Sequence, residues 1–411
     1  MNKAKVVERE LTIAQACRRV EIELGRQGLA PSTRTFGNDL VLVHATLTGP
    51  DNRQAHGSGK GYLEHARLGA LFEALEHQWA EDHCTADTHT VSADYFADTT
   101  LFANDHVHIL LNAEQGTHIV CRDYVQHKTR TRFSYPVALI SPHYADRPLE
   151  QDCTDYRALR RYSSNSGTAI GATYDEALLH ATNECIERDA VSLFLLDHFY
   201  YENLSPLRHV IRPEQDDALG RLWTDAEREI GAEIVLLDIS TEFKARTFLA
   251  FSKASGFPVQ VFGSGCSLDP RHGAWRALTE LVQMHFAAAN DEYRNSLLNA
   301  QRHLQRFTRL LRCLQFNTEA LLQRSPRLSV ALPDTGVDSS LTEQIDRLAA
   351  DLEYHGHVLG VTTLHQTDLG TTVVNVVIPG LERFFTVSSG NVVVPNARGR
   401  KLENKPQEFN P

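Results

Sequence analysis

The residues best equipped for chemistry are glutamates and arginines that recur at helical spacing in three separated stretches. These are Glu73-Ala74-Leu75-Glu76-His77, then Thr173-Tyr174-Asp175-Glu176-Ala177 continuing to Glu184-Cys185-Ile186-Glu187-Arg188-Asp189-Ala190, and Arg276-Ala277-Leu278-Thr279-Glu280. On a helix turning about 100° per residue, Glu176 and Glu187 differ by roughly 20°, and Glu184 lies within about 80° of Glu176. One helix therefore carries three carboxylates along a stripe, where like charges repel. A cation should face them. The neighbours Ala177, Leu178, Ala181, Ile186, Ala190, Val191 and Phe194 predict a largely buried helix, and a buried carboxylate requires a cation or a metal. Before it runs Ser163–Thr173, small and polar, suited to bringing backbone N–H groups to an anion at a helix N-terminus. Magnesium commonly bridges protein carboxylates to substrate phosphates. Together the stretches read as one acidic nucleotide–metal site.

Such a site needs elements that converge. A chain of 411 residues, 42% apolar and 23% charged, suffices for one large or two ordinary domains. Short β-branched or apolar runs predict strands at Leu40–Leu47, Val107–Leu111, Val137–Ser141, Glu233–Ile239, Arg246–Ser252 and Thr372–Ile378. Length and periodicity predict helices at Ile13–Gln27, Tyr62–Asp82, Tyr174–His198, Ala274–Asn290, Asn299–Phe316 and Leu341–His355. The two kinds alternate without a βαβ rhythm, so the expected class is α+β. The expected organisation is an N-terminal helix and strand region over residues 1–56, a catalytic domain over 57–395 and a tail over 396–411. Softer boundaries are expected at Ser163–Thr173 and Leu204–Asp217.

The net charge of −11 argues against a nucleic-acid backbone binder, whose affinity comes from clustered Lys and Arg. No apolar run reaches membrane-span length, and the start lacks a signal-peptide core. The 7 cysteines are scattered without a C-x-x-C pair, a pattern of reduced, cytoplasmic thiols. His106-Val107-His108 lacks a third ligand nearby, which favours a structural role over zinc. Cys185 is expected to be an inert core thiol, and Cys266 a more accessible one with no base to activate it. Phe384-Phe385 and Phe199-Tyr200-Tyr201 are expected in core or interface. Lys60, between glycines in an expected loop, reads equally well as a phosphate contact or a plain surface lysine, since Gly-Lys-Gly lacks P-loop spacing.

The blocks, taken in order, resemble the signature of YcaO-domain proteins. Ser164-Asn165-Ser166-Gly167 through Glu184–Ala190 is similar to the family's S-N-G, glycine loop, E-A and E-x-x-E-R-D-A run. Gly57-Ser58-Gly59-Lys60-Gly61 with Ala66-Arg67 and Glu73–Glu76 resembles its first block. Gly263-Ser264-Gly265-Cys266 through Arg276–Glu280 and Gln283 resembles its third, and Pro379-Gly380-Leu381-Glu382 its late V-P-G-L-E turn. The likeness spans roughly residues 57 to 382.

What the resemblance implies is an α+β fold of mixed sheets flanked by helices, with an ATP and Mg2+ site between carboxylate-bearing helices. It implies an ATP-dependent cyclodehydratase that activates a peptide backbone amide and turns Cys, Ser or Thr of a ribosomal precursor into thiazoline or oxazoline. Thioamide formation with a sulfide source, or a non-catalytic nucleotide-binding scaffold, are the alternatives. Carried over block by block, Glu73, Glu76, Glu184 and Glu187 would hold magnesium, Glu184, Glu187 and Arg188 would form the catalytic set, and Lys60, Glu176, Arg276 and Glu280 would contact the nucleotide or order its surroundings. Implied partners are the precursor peptide and an E1-like or leader-binding protein in a complex, with room for a flavin-dependent dehydrogenase. The residues before about 35 are too few for a leader-binding module of ordinary domain size. Gly69 and Ala172 stand where the family usually has Ser and Asn, implying weaker or shifted nucleotide contact there. The tail Lys405–Pro411 lacks the Pro-x-Pro-x-Pro ending of azoline-forming members.

Overall fold

A computed structural model describes residues 7–107, 118–150, 152, 154–253, 257, 259–333 and 339–403. Strands β1 (Ala30–Phe36), β2 (Val41–Thr48) and β3 (Gln54–Gly61) form an antiparallel sheet in sequence order. In chain order there follow β4 (Thr88–Ser92), β5 (His118–Gln126), β6 (Arg132–Pro136) and β7 (Thr168–Gly171). Next come β8 (Leu207–Val210), β9 (Ile234–Asp238), β10 (Arg246–Ser252), β11 (Gly263–Ser267) and β12 (Arg327–Val330), and last β13 (Gly360–Gln366) and β14 (Thr372–Val377). One sheet runs β4-β5-β13-β14-β7, with β6 also paired to β5. The other runs β11-β10-β9-β8-β12, antiparallel except where β12 meets β8. The class is α+β.

Local chemistry explains the helices. Ile13–Gln27 starts at a capping box of Thr12 and Gln15 and ends at Gly28 in the left-handed conformation. Leu341–Tyr354 opens on a second such box, Ser340 with Glu343. Tyr174–Leu195 is capped by the Thr173 hydroxyl, then widens into a largely buried π-helical turn, Leu196–Tyr200. Leu63–Asp82 and Pro270–Ala289 complete the set that carries the sequence's glutamates and arginines.

Three of these helices sit directly on glycines. A Cβ at Gly57 or Gly59 of β3 would overlap the backbone of Leu63–Asp82, and at Gly59 it would stand 2.5 Å from Ala70 N. On β7, a Cβ at Gly171 would lie 2.6 Å from Thr173 O, against the start of Tyr174–Leu195. On β11, Gly263 and Gly265 present the same demand to Pro270–Ala289, with Glu280 C at 2.7 Å and Ala277 N at 2.6 Å. Glycine in a strand marks close approach of another backbone. Gly59→Ala is therefore expected to lower unfolding free energy by about 3 kcal/mol or more through overpacking. Gly25→Ala, whose Cβ meets nothing within 4 Å in the Ile13–Gln27 helix, should be neutral or stabilising by up to about 1 kcal/mol. Urea midpoints of the pair check this, and a Gly59→Ala protein as stable as the parent would remove the glycine seat.

The structure corrects several sequence expectations. Val137–Ile140 is a buried helical turn rather than a strand, and Ser141 caps the next turn, Pro142–Asp146; a four-residue run buried on every side has no alternation to read. Asn299–Phe316 divides into Asp291–Leu304 and Thr308–Gln315, the second ended by Phe316 at φ 48°. The stretch around Lys60 is strand β3, not a loop. Val107 lies in a turn, and the rest of its expected strand, His108 and the tail from residue 404 fall outside the described residues. His106 is buried against the Tyr162 ring, with Nε2 3.6 Å from Glu382. Cys266 is fully buried rather than accessible, and burial pushes its thiol pKa up. For Cys185, burial followed by Glu184 raises the thiol to about 12. Phe384 and Phe199 lie in the core.

Candidate active site

A cavity of about 580 Å³ opens where β3, the helices Leu63–Asp82, Tyr174–Leu195 and Pro270–Ala289, and the N-terminal residues 7–16 meet. Every site residue singled out in the sequence lines it: Lys60, Glu73, Glu76, Glu176, Glu184, Glu187, Arg188, Arg276 and Glu280. Gly69 and Ala172 line it too. A Cβ at Gly69 would meet only Gly59 Cα, at 3.7 Å, so the position has room for a side chain it does not carry.

Glu76, Glu184 and Glu187 are each anchored through one oxygen. Glu76 Oε2 accepts from Ile170 N at 2.9 Å, and Glu184 Oε2 from Gly167 N at 3.3 Å. Ser264 Oγ donates to Glu187 Oε1 at 2.7 Å, while Glu187 Oε2 is buried with no partner. Burial raises the pKa of Glu73, Glu76 and Glu184; Glu184 adds to the rise at Glu73, Glu73 and Glu184 add to it at Glu76, and Glu187 adds to it at Glu184. Glu280 behaves oppositely. Burial works against its charged form, but Lys60, 2.6 Å away, with Arg188 and Arg276, holds its carboxyl below the usual range.

Glu176 is used differently. Its Oε1 accepts from Glu10 N at 2.7 Å and Leu11 N at 3.4 Å, and its Oε2 from Ala172 N at 3.2 Å. It fastens the N-terminal segment to the helix that carries Glu184 and Glu187. Arg188 lies over the Phe385 ring, 5.4 Å from its centroid, with Nη2 3.5 Å from Glu184. Burial opposes the charge of Arg188, yet Glu184, Glu187 and Glu280 keep its pKa above normal. Arg276 Nη1 bonds His180 Nδ1 at 2.8 Å. The Nε atoms of both arginines are buried without a partner.

The sequence reading missed Arg9, Ser264 as the holder of Glu187, and His180. Arg9 reaches the cavity from a stretch with no periodicity to read. His180 had a signal: it stands four residues after Glu176 and four before Glu184, on the same stripe.

Orphaned donors and an orphaned acceptor in one cavity suit a ligand that presents both signs of charge. Metal-bound phosphate does so. Among the described residues no three or more His, Cys, Asp and Glu side chains close on one point as a complete metal cage. Magnesium commonly takes one or two carboxylates per ion and completes its shell with phosphate and water. The residues fit the group.

The fold is α+β, and its cavity gathers carboxylates and guanidiniums from three helices. The YcaO family, described as cyclodehydratases that bind ATP and Mg2+, matches residues 58–382, and the chain belongs to that family. ATP and Mg2+ are the family's cofactors. An uncharacterized protein in the tfuA 3′ region of Rhizobium leguminosarum bv. trifolii is 30% identical over 232 residues, 53% of this chain and 52% of that protein. One from Methanothermobacter thermautotrophicus is 25% identical over 257 residues, 59% of this chain and 60% of that one. The chain thus spans between half and two thirds of the length of these curated relatives. Among solved structures, YcaO from Methanopyrus kandleri bound with AMPPCP and Mg2+ superposes with TM-score 0.65 at 18% identity, covering 95% of this chain and 97% of that one. A heterocyclase in complex with substrate and cofactor gives 0.62 at 17% identity, covering 92% and 54%. The E. coli microcin synthetase McbBCD complex gives 0.56 at 11%, covering 86% and 88%. At such identities the superpositions show the shared fold. No helix among the described residues is long and apolar enough to cross a membrane.

Proposed function

We propose that this chain is the ATP-dependent cyclodehydratase of a cytoplasmic peptide-modifying complex, converting Cys, Ser or Thr of a ribosomal precursor peptide to thiazoline or oxazoline. The observation that carries the reading is the cavity in which Glu187 Oε2, Arg188 Nε and Arg276 Nε all lie buried and unpartnered. Phosphoryl transfer asks a protein mainly for positioning and charge neutralisation, and this cavity offers both.

In the proposed reaction the Cys, Ser or Thr side chain adds to the preceding amide carbon and gives up its proton. The amide oxygen takes the γ-phosphoryl group of ATP, breaking the bond to ADP. The C–O bond then breaks, inorganic phosphate leaves, and loss of the N–H proton closes the C=N bond. The peptide has lost one water. Glu73, Glu76, Glu184 and Glu187 would hold magnesium, which supplies neutralisation of phosphate charge. Arg188 and Arg276 donate to phosphoryl oxygens, and Glu280 keeps Lys60 oriented beside them. Phe385 and Glu184 limit the directions Arg188 takes.

The cavity side chains are committed to nucleotide and metal in this reading, so recognition of the precursor's leader falls to a partner protein. The test mixes the purified chain with ATP, Mg2+ and full-length precursor, with and without the leader-binding partner, and follows peptide mass. Water loss that depends on the partner is expected. Oxygen-to-sulfur exchange on adding sulfide would instead establish thioamide formation, and nucleotide binding without any mass change a scaffold. Equal rates without the partner would overturn the division of labour. Calorimetry in EDTA should show ATP affinity collapsing, because an acidic cavity repels a bare triphosphate; undiminished affinity would assign the nucleotide to Lys and Arg alone.

A further inference from the structure

Of the arginines that line the cavity, Arg188 and Arg276 are held by different means. Arg188 stands beside a carboxylate, Glu184. Arg276 is held by a neutral group, the imidazole of His180, through Nη1 to Nδ1 at 2.8 Å. A guanidinium only donates, so Nδ1 carries the lone pair and the ring proton sits on Nε2. The surroundings enforce that state. Burial drives the His180 pKa well below the ordinary histidine value, and Arg276 and His272 on Pro270–Ala289, Arg9 from the N-terminal segment and Lys60 on β3 add to the depression. On its own helix Glu176 is saturated by three backbone N–H groups, and Glu184 lies beside Arg188. With Nδ1 occupied and protonation suppressed, His180 is excluded as a general base.

We infer that His180 is a positioning residue for nucleotide binding, holding Arg276 by a neutral acceptor so that the guanidinium keeps its full charge and its buried Nε for a phosphate oxygen. This rests on the reading of the cavity as an ATP site. A carboxylate in that place would orient Arg276 equally well but would compete with the phosphate for its charge. A groups-only-by-burial role is distinguishable, because the acceptor atom itself matters here. Asn at position 180 places its amide oxygen near where Nδ1 sits. Gln, similar in polarity, reaches past it, and Leu has no acceptor.

The experiment measures the dissociation constant of Mg·ATP by calorimetry for the native chain, His180→Asn, His180→Gln and His180→Leu, and repeats His180→Gln in an Arg276→Gln background. Expected are affinity within about twofold of native for Asn, and a loss of about tenfold for Gln and Leu, the scale on which partners of ligand-holding residues act. In the Arg276→Gln background the His180→Gln substitution should cost under about twofold, because the group it serves is gone. Equal affinities for Asn and Gln overturn the inference, as does the same fold-loss in both backgrounds; the Asn–Gln comparison decides even where Leu compromises folding. A native chain that binds no Mg·ATP would sink the nucleotide reading and this inference with it, whereas native binding matched by His180→Gln sinks the inference alone.

Discussion

Glu187→Gln is expected to lower precursor-dependent ATP turnover about 10²–10³-fold while leaving the fold intact. The side chain is 2% exposed and lies in the middle of a long buried helix. Gln keeps its shape and can still accept from Ser264 Oγ through the amide oxygen. What changes is the second oxygen, the one without a partner: it becomes an NH2 group, which repels a metal ion and cannot ligate it. Glu184→Gln is expected to behave alike, since Gly167 N holds one oxygen there as Ser264 holds one of Glu187. Turnover assays paired with urea unfolding check the claim. Full activity in both variants would remove these residues from the site, and gross destabilisation would show them to be structural.

The second large effect lies behind the site. Asp189, fully buried, takes a two-pronged contact from Arg398, with Nε to Oδ1 and Nη2 to Oδ2 each at 2.8 Å, and a further bond from Glu382 N at 2.8 Å. Arg398 also reaches Glu242 at 2.6 Å. Arg398→Leu strips the charge partner from a carboxylate that cannot reach water, a loss of about 3–5 kcal/mol. Arg398→Lys, which keeps charge but not the planar fork, should fall between. Chemical denaturation of the three proteins is the measurement, and a loss under about 1 kcal/mol for Leu would mean that Asp189 finds another partner.

The stripe of Glu176, Glu184 and Glu187 and the helices that carry the chemistry were legible because amphipathic periodicity is written locally, and 13–27, 63–82, 174–195 and 341–354 all match to within a few residues. Strands β3 and β11 were not. Gly-Ser-Gly runs carry no strand propensity, and their reason for being strands is a helix that arrives later in the chain. The buried turn at Val137–Ile140 and the break at Gln305–Phe307 are likewise settled by packing around them. Within the site, residue types were readable but pairings were not. Nothing in the sequence says that Lys60 meets Glu280, that Ser264 meets Glu187, or that Glu176 spends both oxygens on backbone N–H groups of residues 10, 11 and 172. Apart from the local bond between Ala172 and Glu176, each of these contacts joins elements separated in the chain, where local pattern is silent.

The glycine seats have a consequence for how such a chain ages over evolution. Where helix backbone touches strand backbone, no side chain lies between them to change the distance when it is replaced. The offsets that bring Glu73 and Glu76, Glu184 and Glu187, and Arg276 and Glu280 around one cavity are therefore set by main chain at Gly57, Gly59, Gly171, Gly263 and Gly265. Apolar residues elsewhere are free to drift in identity so long as volume is conserved. A fold shared at TM-score 0.65 with 18% of residues in common is compatible with that freedom: backbone contacts can fix the spacing while the side chains around them vary.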